Sequence, residues 1–286
     1  MIYVLLLVLV TAVWGSTFVL VKEAISHYPT LPFLAVRFAL AALVMVVVVH
    51  RPPGWRVVRV GVPIGVALAA GYLLQTVGLQ TTSPGNAGLL TGLFVVFTPL
   101  IDGLFGVRIP PRTIASVILA LAGTLLLTGS GFALPGIGDL LVVGCAIAFA
   151  AHIVLLSRWA PGAPPAALAM VQMLTAGVLF GGASLPRLSL PPTGVWFAIV
   201  VTGVLASALG FLIQTWAQTH LSASRTALIL ATEPAWALVA AVALAGQRFG
   251  LLQGIGAALL VVAIVGHEAL AAVAGRKAAR HATSNI

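Results

Sequence analysis

Ten runs of apolar residues, each close to the length of a bilayer-crossing helix, leave this chain few ways to fold. About 20 residues of helix cross the roughly 30 Å hydrocarbon layer. Inside that layer a segment must satisfy its own backbone hydrogen bonds, which a helix does. The runs are Ile2–Val21, Pro32–Val49, Val60–Leu79, Ala87–Val107 and Thr113–Gly129, followed by Asp139–Ser157, Ala166–Leu185, Gly194–Ala217, Thr226–Ala245 and Gly250–Val273. Connections are short, with no stretch that fits a soluble domain. Only 7% of the 286 residues are charged, against about 25% in soluble proteins. The expected fold is an all-α membrane protein of ten transmembrane helices. The first run lacks a basic leader and a small-residue cleavage site, so it is expected to be the first span rather than a signal peptide.

Orientation follows from Lys and Arg, which concentrate on the cytoplasmic side. With a cytoplasmic N-terminus, the inner loops and tail hold Arg51, Arg56, Arg59, Arg108, Arg112, Arg158, Arg225, Arg276, Lys277 and Arg280. The outer connections hold only Lys22, Arg187 and Arg248. Both termini are therefore expected in the cytoplasm. The net charge of +9 reads as this topological bias, not as a nucleic-acid surface. The single cysteine, Cys145, lies within an apolar run and reads as a packing residue.

The chain also repeats itself. Gly71-Tyr-Leu-Leu-Gln-Thr76 returns as Gly210-Phe-Leu-Ile-Gln-Thr215, and each copy leads through a Ser-containing turn into a run holding a proline, Pro99 or Pro234. Landmarks lie about 135 to 140 positions apart: Trp14 with Phe149, Arg37 with Gln172, Gln75 with Gln214, Arg108 with Arg248. Two units follow, residues 1–130 and 135–273, with a basic cytoplasmic tail over 274–286. Five spans is an odd number, so the second unit is expected to enter the membrane inverted. In transporters such repeats place a ligand near the midplane between the halves.

Trp14-Gly-Ser-Thr-Phe18, Arg37-Phe38, Thr81-Thr-Ser-Pro-Gly-Asn-Ala-Gly88 leading to Thr98-Pro99, and Glu233-Pro234 leading to Gly246-Gln247-Arg248 together resemble the EamA family of the drug/metabolite transporter superfamily. The resemblance covers nearly the whole chain as two EamA-type units. It implies a ten-helix bundle whose central cavity is lined mainly by spans 1, 3, 4, 6, 8 and 9. It also implies export of small metabolites, often amino acids, across a bacterial inner membrane. Gln247 departs from the family pattern, which often has an acid there; altered capping or packing is the expected consequence.

Glu233 is the leading candidate for chemistry. A carboxylate about seven residues into a span lies roughly 10 Å from its end, so it must be neutral, paired or facing a wet cavity. It reads as a proton-binding group or a partner for a substrate ammonium; the alternative is a protonated side chain satisfying backbone that Pro234 disrupts. Trp236, one turn on, offers a cation–π surface, with packing the favoured reading. Gln75 and Gln214 either bridge helices or face a polar cavity, and Gln214 is expected at the depth of Glu233. Tyr72, Phe211 and Trp14 supply aromatic walls. Thr98 occupies the position matching Glu233, on a stripe with Thr91, Phe94 and Asp102. His152 suits a proton relay, although a neutral structural histidine is favoured. Arg37 is expected to snorkel from the outer end of span 2 or to pair with another helix, with a substrate carboxylate as the alternative. Glycines Gly61, Gly65, Gly71, Gly78, Gly88 and Gly92 are expected at close helix contacts.

No Gly-x-x-x-x-Gly-Lys-Ser/Thr loop is present, which excludes ATP-driven pumping by this chain alone. Gly136-Ile-Gly-Asp139 matches a string found in intramembrane aspartyl proteases, but its only aspartate partner, Asp102, is expected near the opposite face. Neither an enzyme, a metal site nor a cofactor is expected; a passive pore is the remaining rival. The reading is a secondary transporter for a small amphiphilic metabolite, an amino acid or amine, with the lipid bilayer as surroundings. Monomer and homodimer both remain open.

Overall fold

The computed structural model describes residues 2–128, 136–245, 250–252, 254–256, 258–263, 265–267 and 269–270. Gln247, Arg248 and the basic tail lie outside them. Among the described residues the chain is helical with no strand. The first helices are α1 (Ile2–His27), α2 (Thr30–Val49) and α3 (Trp55–Gly78). Then come α4 (Pro84–Gly92), α5 (Phe94–Leu104), α6 (Pro111–Thr128), α7 (Ile137–Trp159) and α8 (Pro165–Ser184). After a short 3₁₀ entry follow α9 (Trp196–Val200), a π-helical segment (Val201–Leu209), α10 (Gly210–Gln218), α11 (Ala223–Leu230) and α12 (Glu233–Ala245). Among the described residues, seven segments are long and apolar enough to cross a membrane, including Pro84–Leu104 and Thr193–Gln218 taken whole. This is a multi-pass membrane protein.

Two expected spans are broken. The run Ala87–Val107 divides at Leu93, and Thr226–Ala245 divides at Ala231 and Thr232. Pro234 has no N–H for the Leu230 carbonyl one turn back, and α11 ends at that residue. Glu233 is thus not seven residues into a continuous helix but the first residue of α12. Pro99 instead sits inside α5, and the chain tightens earlier, where the Leu93 N–H bonds to the Leu90 carbonyl at 3.2 Å. Both broken spans begin alike: Ser83 accepts from the Asn86 N–H, and Ser222 from the Arg225 N–H, each side-chain cap occupying one orphan donor of a helix start.

Lys22 is another correction. It lies within α1, and its ammonium donates to the carbonyls of Leu79, Gln80 and Thr82 at 2.5, 3.0 and 3.2 Å. The free carbonyls at the end of α3 attract that charge, which holds the basic residue against the helix end.

Without water to expel, packing joins the helices. α3 lies along α7 and α8, α2 along α8 and the π-helical segment, and α1 along α12. Glycines make the α3 seams possible. A β-carbon at Gly61 would stand 2.6 Å from Val171 and one at Gly65 2.7 Å from Thr175, both on α8. At Gly71 it would meet the Phe149 ring at 2.4 Å, and at Gly78 the Gly138 carbonyl at 2.7 Å, both on α7. Gly88 differs from expectation: its nearest neighbours are at 3.6 Å or more, ordinary contact distances.

The Gly138 backbone cannot rotate aside as a side chain would. Gly78→Ala should therefore cost about 1–3 kcal/mol by overpacking, read as a lowered thermal unfolding midpoint in detergent micelles. Gly181→Ala, with nothing within 4 Å, should leave the midpoint unchanged or slightly raised.

Candidate functional site

A cavity opens where the halves of the chain meet. Trp14, Thr17, Phe18 and Val21 of α1 line one wall, and Tyr72 and Gln75 of α3, with Leu79 just past its end, another. Phe149, His152 and Ile153 of α7 face Phe211 and Gln214 of α10. Phe94, Leu230 and Glu233 come from the two broken spans, and Arg37 enters from α2. The space open to the centres of water molecules is about 40 Å³, room for a few waters.

Aromatic rings form most of the wall. The rings of Trp14 and Phe211 lie 5.0 Å apart, Tyr72 and Phe149 5.3 Å, and Tyr72 and Phe211 5.9 Å. Trp14 is fixed from behind, because its indole N–H donates to the Ala206 carbonyl at 2.8 Å. That carbonyl belongs to the π-helical segment, whose wider turn also presents Ser207 to the Arg37 Nε at 3.0 Å. Arg37 reaches it because α2 packs against Gly203, where a β-carbon would be 3.0 Å from the Arg37 carbonyl.

Arg37 does not snorkel. It is 2% exposed, with its guanidinium carbon 4.4 Å from the Tyr72 ring centre and 5.4 Å from that of Phe38. Side-chain length had favoured an escape to the membrane surface; cation–π contacts and the Ser207 hydroxyl hold the group inward instead.

Glu233 is buried beside the cavity, and no hydrogen bond or ion pair from a described residue reaches its carboxyl group. Its position is set by α1. Thr11 and Thr232 share a hydrogen bond of 2.7 Å, and Gly15 admits the start of α12 so closely that a β-carbon there would be 2.7 Å from the Glu233 carbonyl.

The amides have mostly structural partners. Gln75 donates to Thr91 at 3.1 Å. Gln214 donates to Gln218 at 2.8 Å, and Gln218 in turn donates to the Ile153 carbonyl and to Ser157. The Gln214 side-chain oxygen is buried without a partner; no bond joins Gln214 to Glu233 although both line the cavity. His152 Nε2 lies 2.8 Å from the Gln172 oxygen. The Gln172 amide donates to the Leu168 carbonyl and to Thr215, so its oxygen accepts and His152 donates.

Two candidates fall outside the lining. Thr98 turns its hydroxyl back to the Phe94 carbonyl at 2.7 Å, the bond that a buried hydroxyl in a helix makes most readily. Trp236 packs beside α1, its β-carbon 3.0 Å from where a Gly15 side chain would start. The other eight residues converge. Phe149, Ser207 and Gln172 were not singled out as site residues, yet Phe149 matches Trp14 and Gln172 matches Arg37 in the repeat.

The aspartates are far apart. Asp102 pairs with Arg158 near the end of α7 at 2.9 Å, while Asp139 near its start accepts from the Gly136 N–H at 3.0 Å and from Thr82. Nineteen residues of helix separate those ends by about 28 Å, which excludes a shared aspartyl centre.

The sequence profile described as the EamA-like transporter family matches residues 1–129 and 136–267. The chain belongs to the EamA-like transporter family. An uncharacterized transporter of Archaeoglobus fulgidus is 33% identical over 91% of this chain and 83% of its own length. The uncharacterized transporter YyaM of Bacillus subtilis is 26% identical, with 88% of each chain covered. The uncharacterized inner membrane transporter YedA of Escherichia coli K12 is 24% identical over 88% of this chain and 86% of its own. A protein crystal structure superposes with a TM-score of 0.77 over 93% of this chain and 97% of that one, at 21% identity, a likeness of fold.

In this EamA protein, helices α1, α3, α5, α7, α10, α11 and α12 contribute to the cavity. They belong to the spans 1, 3, 4, 6, 8 and 9 that the resemblance implies. Arg37 of α2 is an addition to that set. Trp14→Phe would keep a ring in the wall but remove the indole bond to Ala206. A stability loss of about 0.5–1.5 kcal/mol is expected, measured as a lower unfolding midpoint in micelles.

Proposed function

We propose that this EamA protein is a secondary transporter that exports a small amphiphilic metabolite, an amino acid or amine, across a bacterial cytoplasmic membrane. The cavity is the binding site, reached from each side in turn. The observation that carries this reading is the cavity itself: aromatic walls enclosing one unpaired carboxyl group, Glu233, and one guanidinium, Arg37. Such a site has a place for an apolar body and for charged ends.

The transport cycle uses ten spans arranged as two inverted units, residues 1–130 and 135–273, with both termini in the cytoplasm. The two separate profile matches support this. So does the pairing of neighbours: α2 lies on α8, α3 meets α7 and α8 as the eighth run meets α1 and α2, and α1 meets α12 as α7 meets α4 and α5. The glycine seams of α3 permit sliding, and the broken spans permit the half-helices to tilt separately.

Glu233 is the proton-coupling group in this scheme. The titratable side chains around the same cavity are His152, Tyr72 and Arg37. His152 is engaged by Gln172 and Tyr72 packs beneath Arg37, leaving Glu233 as the group free to exchange a proton or bind an ammonium.

Counterflow of labelled amino acids and amines into vesicles preloaded with the unlabelled compound should show saturable exchange for one class. Absence of exchange across that panel, with folded protein in the vesicles, would overturn the proposed cargo. Glu233→Gln should abolish the pH dependence of transport while cargo binding persists; a mutant with unaltered pH dependence would remove Glu233 from coupling.

A further inference from the structure

We propose that Arg37 is the carboxylate-recognising group of the cavity, and that the cargo carries a carboxylate on an apolar body. This rests on the transporter reading only for the word cargo; the binding preference stands or falls separately.

Arg37 and Arg158 both lie against acidic or aromatic partners but differ in how they are matched. Arg158 has Asp102 at 2.9 Å. Arg37 is more deeply buried, and neither ion pair among the described residues includes it. Guanidinium stays protonated in proteins, so a positive charge sits in the bundle with no acid beside it, only the Ser207 hydroxyl, Tyr72 and the ring face of Phe38. Those contacts offset part of the desolvation and fix the orientation. With Nε held by Ser207, the remaining edge of the planar fork is suited to two parallel hydrogen bonds with a carboxylate.

The rest of the lining sets the body. Trp14 has spent its one donor on Ala206, and Phe94, Phe149 and Phe211 have none to offer. These ring faces accept an apolar side chain. Two further polar groups of the lining are acceptors without a donor bound to them: the Glu233 carboxyl and the unpartnered Gln214 oxygen. They suit an ammonium group. A bare amine would leave Arg37 unmatched beside a second cation, whereas a zwitterion places opposite charge at both.

The test uses the full chain in detergent micelles and equilibrium binding of three probes of one shape. L-Phenylalanine has both charges, 3-phenylpropionate lacks the amine, and 2-phenylethylamine lacks the carboxylate. The first two should bind, and 2-phenylethylamine should bind about tenfold more weakly or worse, the effect of losing a charge-assisted hydrogen-bonded pair. Arg37→Gln should abolish that difference and Arg37→Lys retain part of it. Equal binding of phenylalanine and phenylethylamine, no binding of any probe, or an undiminished preference in a folded Arg37→Gln protein would each overturn the proposal. Should Arg37→Gln not fold, the probe series on the unaltered protein decides alone. Carboxylate-selective binding without counterflow would uphold this inference and sink the transport reading. Counterflow that prefers the amine would do the reverse.

Discussion

The site depends on an interruption in hydrogen-bonded backbone. In hydrocarbon, an unpaired carbonyl or N–H has no water to turn to, so non-helical backbone is tolerated only where protein or a wet cavity receives it. Pro234 forces such an interruption beside the cavity. Leu230 ends one half-helix, Glu233 starts the next, and both line the same space. A half-helix start carries partial positive charge, which favours a carboxylate there. The break is not loose: Thr11 bonds to Thr232, and Gly15 lets α1 approach until little more than backbone separates them. One proline and one glycine, over 200 positions apart in sequence, thus set where the acid stands.

A second interruption serves the opposite charge. The π-helical segment presents the Ala206 carbonyl to Trp14 and the Ser207 hydroxyl to Arg37. These two bonds orient the indole and the guanidinium before any ligand arrives. Together the break between α11 and α12 and the π-helical segment leave an acceptor group and a donor group facing one cavity without pairing to each other. Structural pairing absorbs several other buried polar groups, as in the His152–Gln172–Thr215 and Gln214–Gln218–Ser157 chains. Polar side chains within a bilayer that had no such partners would be costly. Their bonds also tie α7, α8 and α10 together at the cavity wall.

The repeat in the sequence was the best guide to the site. Trp14 and Phe149, Tyr72 and Phe211, and Gln75 and Gln214 are matched pairs, and all six side chains line the cavity. The match fails at Thr98 and Glu233 because a hydroxyl can satisfy itself on its own helix, as Thr98 does with Phe94, while a carboxyl group has no donor to give when ionised. For Arg37 both snorkelling and helix pairing were open, and the structure has the pairing, with Ser207. Its distance from the end of the run allowed an escape to water, and nothing in the local sequence announced Ser207 or the ring of Tyr72 as partners. Lys22 likewise looked like a loop charge until the end of α3 was seen beside it.

Hydropathy and period determine that this chain is helical and crosses the membrane many times, because the length of an apolar run must match the bilayer whatever surrounds it. The same one-dimensional record carries the repeat and its paired aromatic and amide residues. It does not carry the positions of the breaks, since a proline can lie within a helix, as Pro99 does, or at its start, as Pro234 does. Nor does it carry the inward turn of Arg37 or the choice between cavity and packing for Trp236. Those were decided by contacts between residues distant in sequence, where helix approach, ring faces and stray backbone carbonyls determine which polar groups are satisfied and which remain free for a ligand.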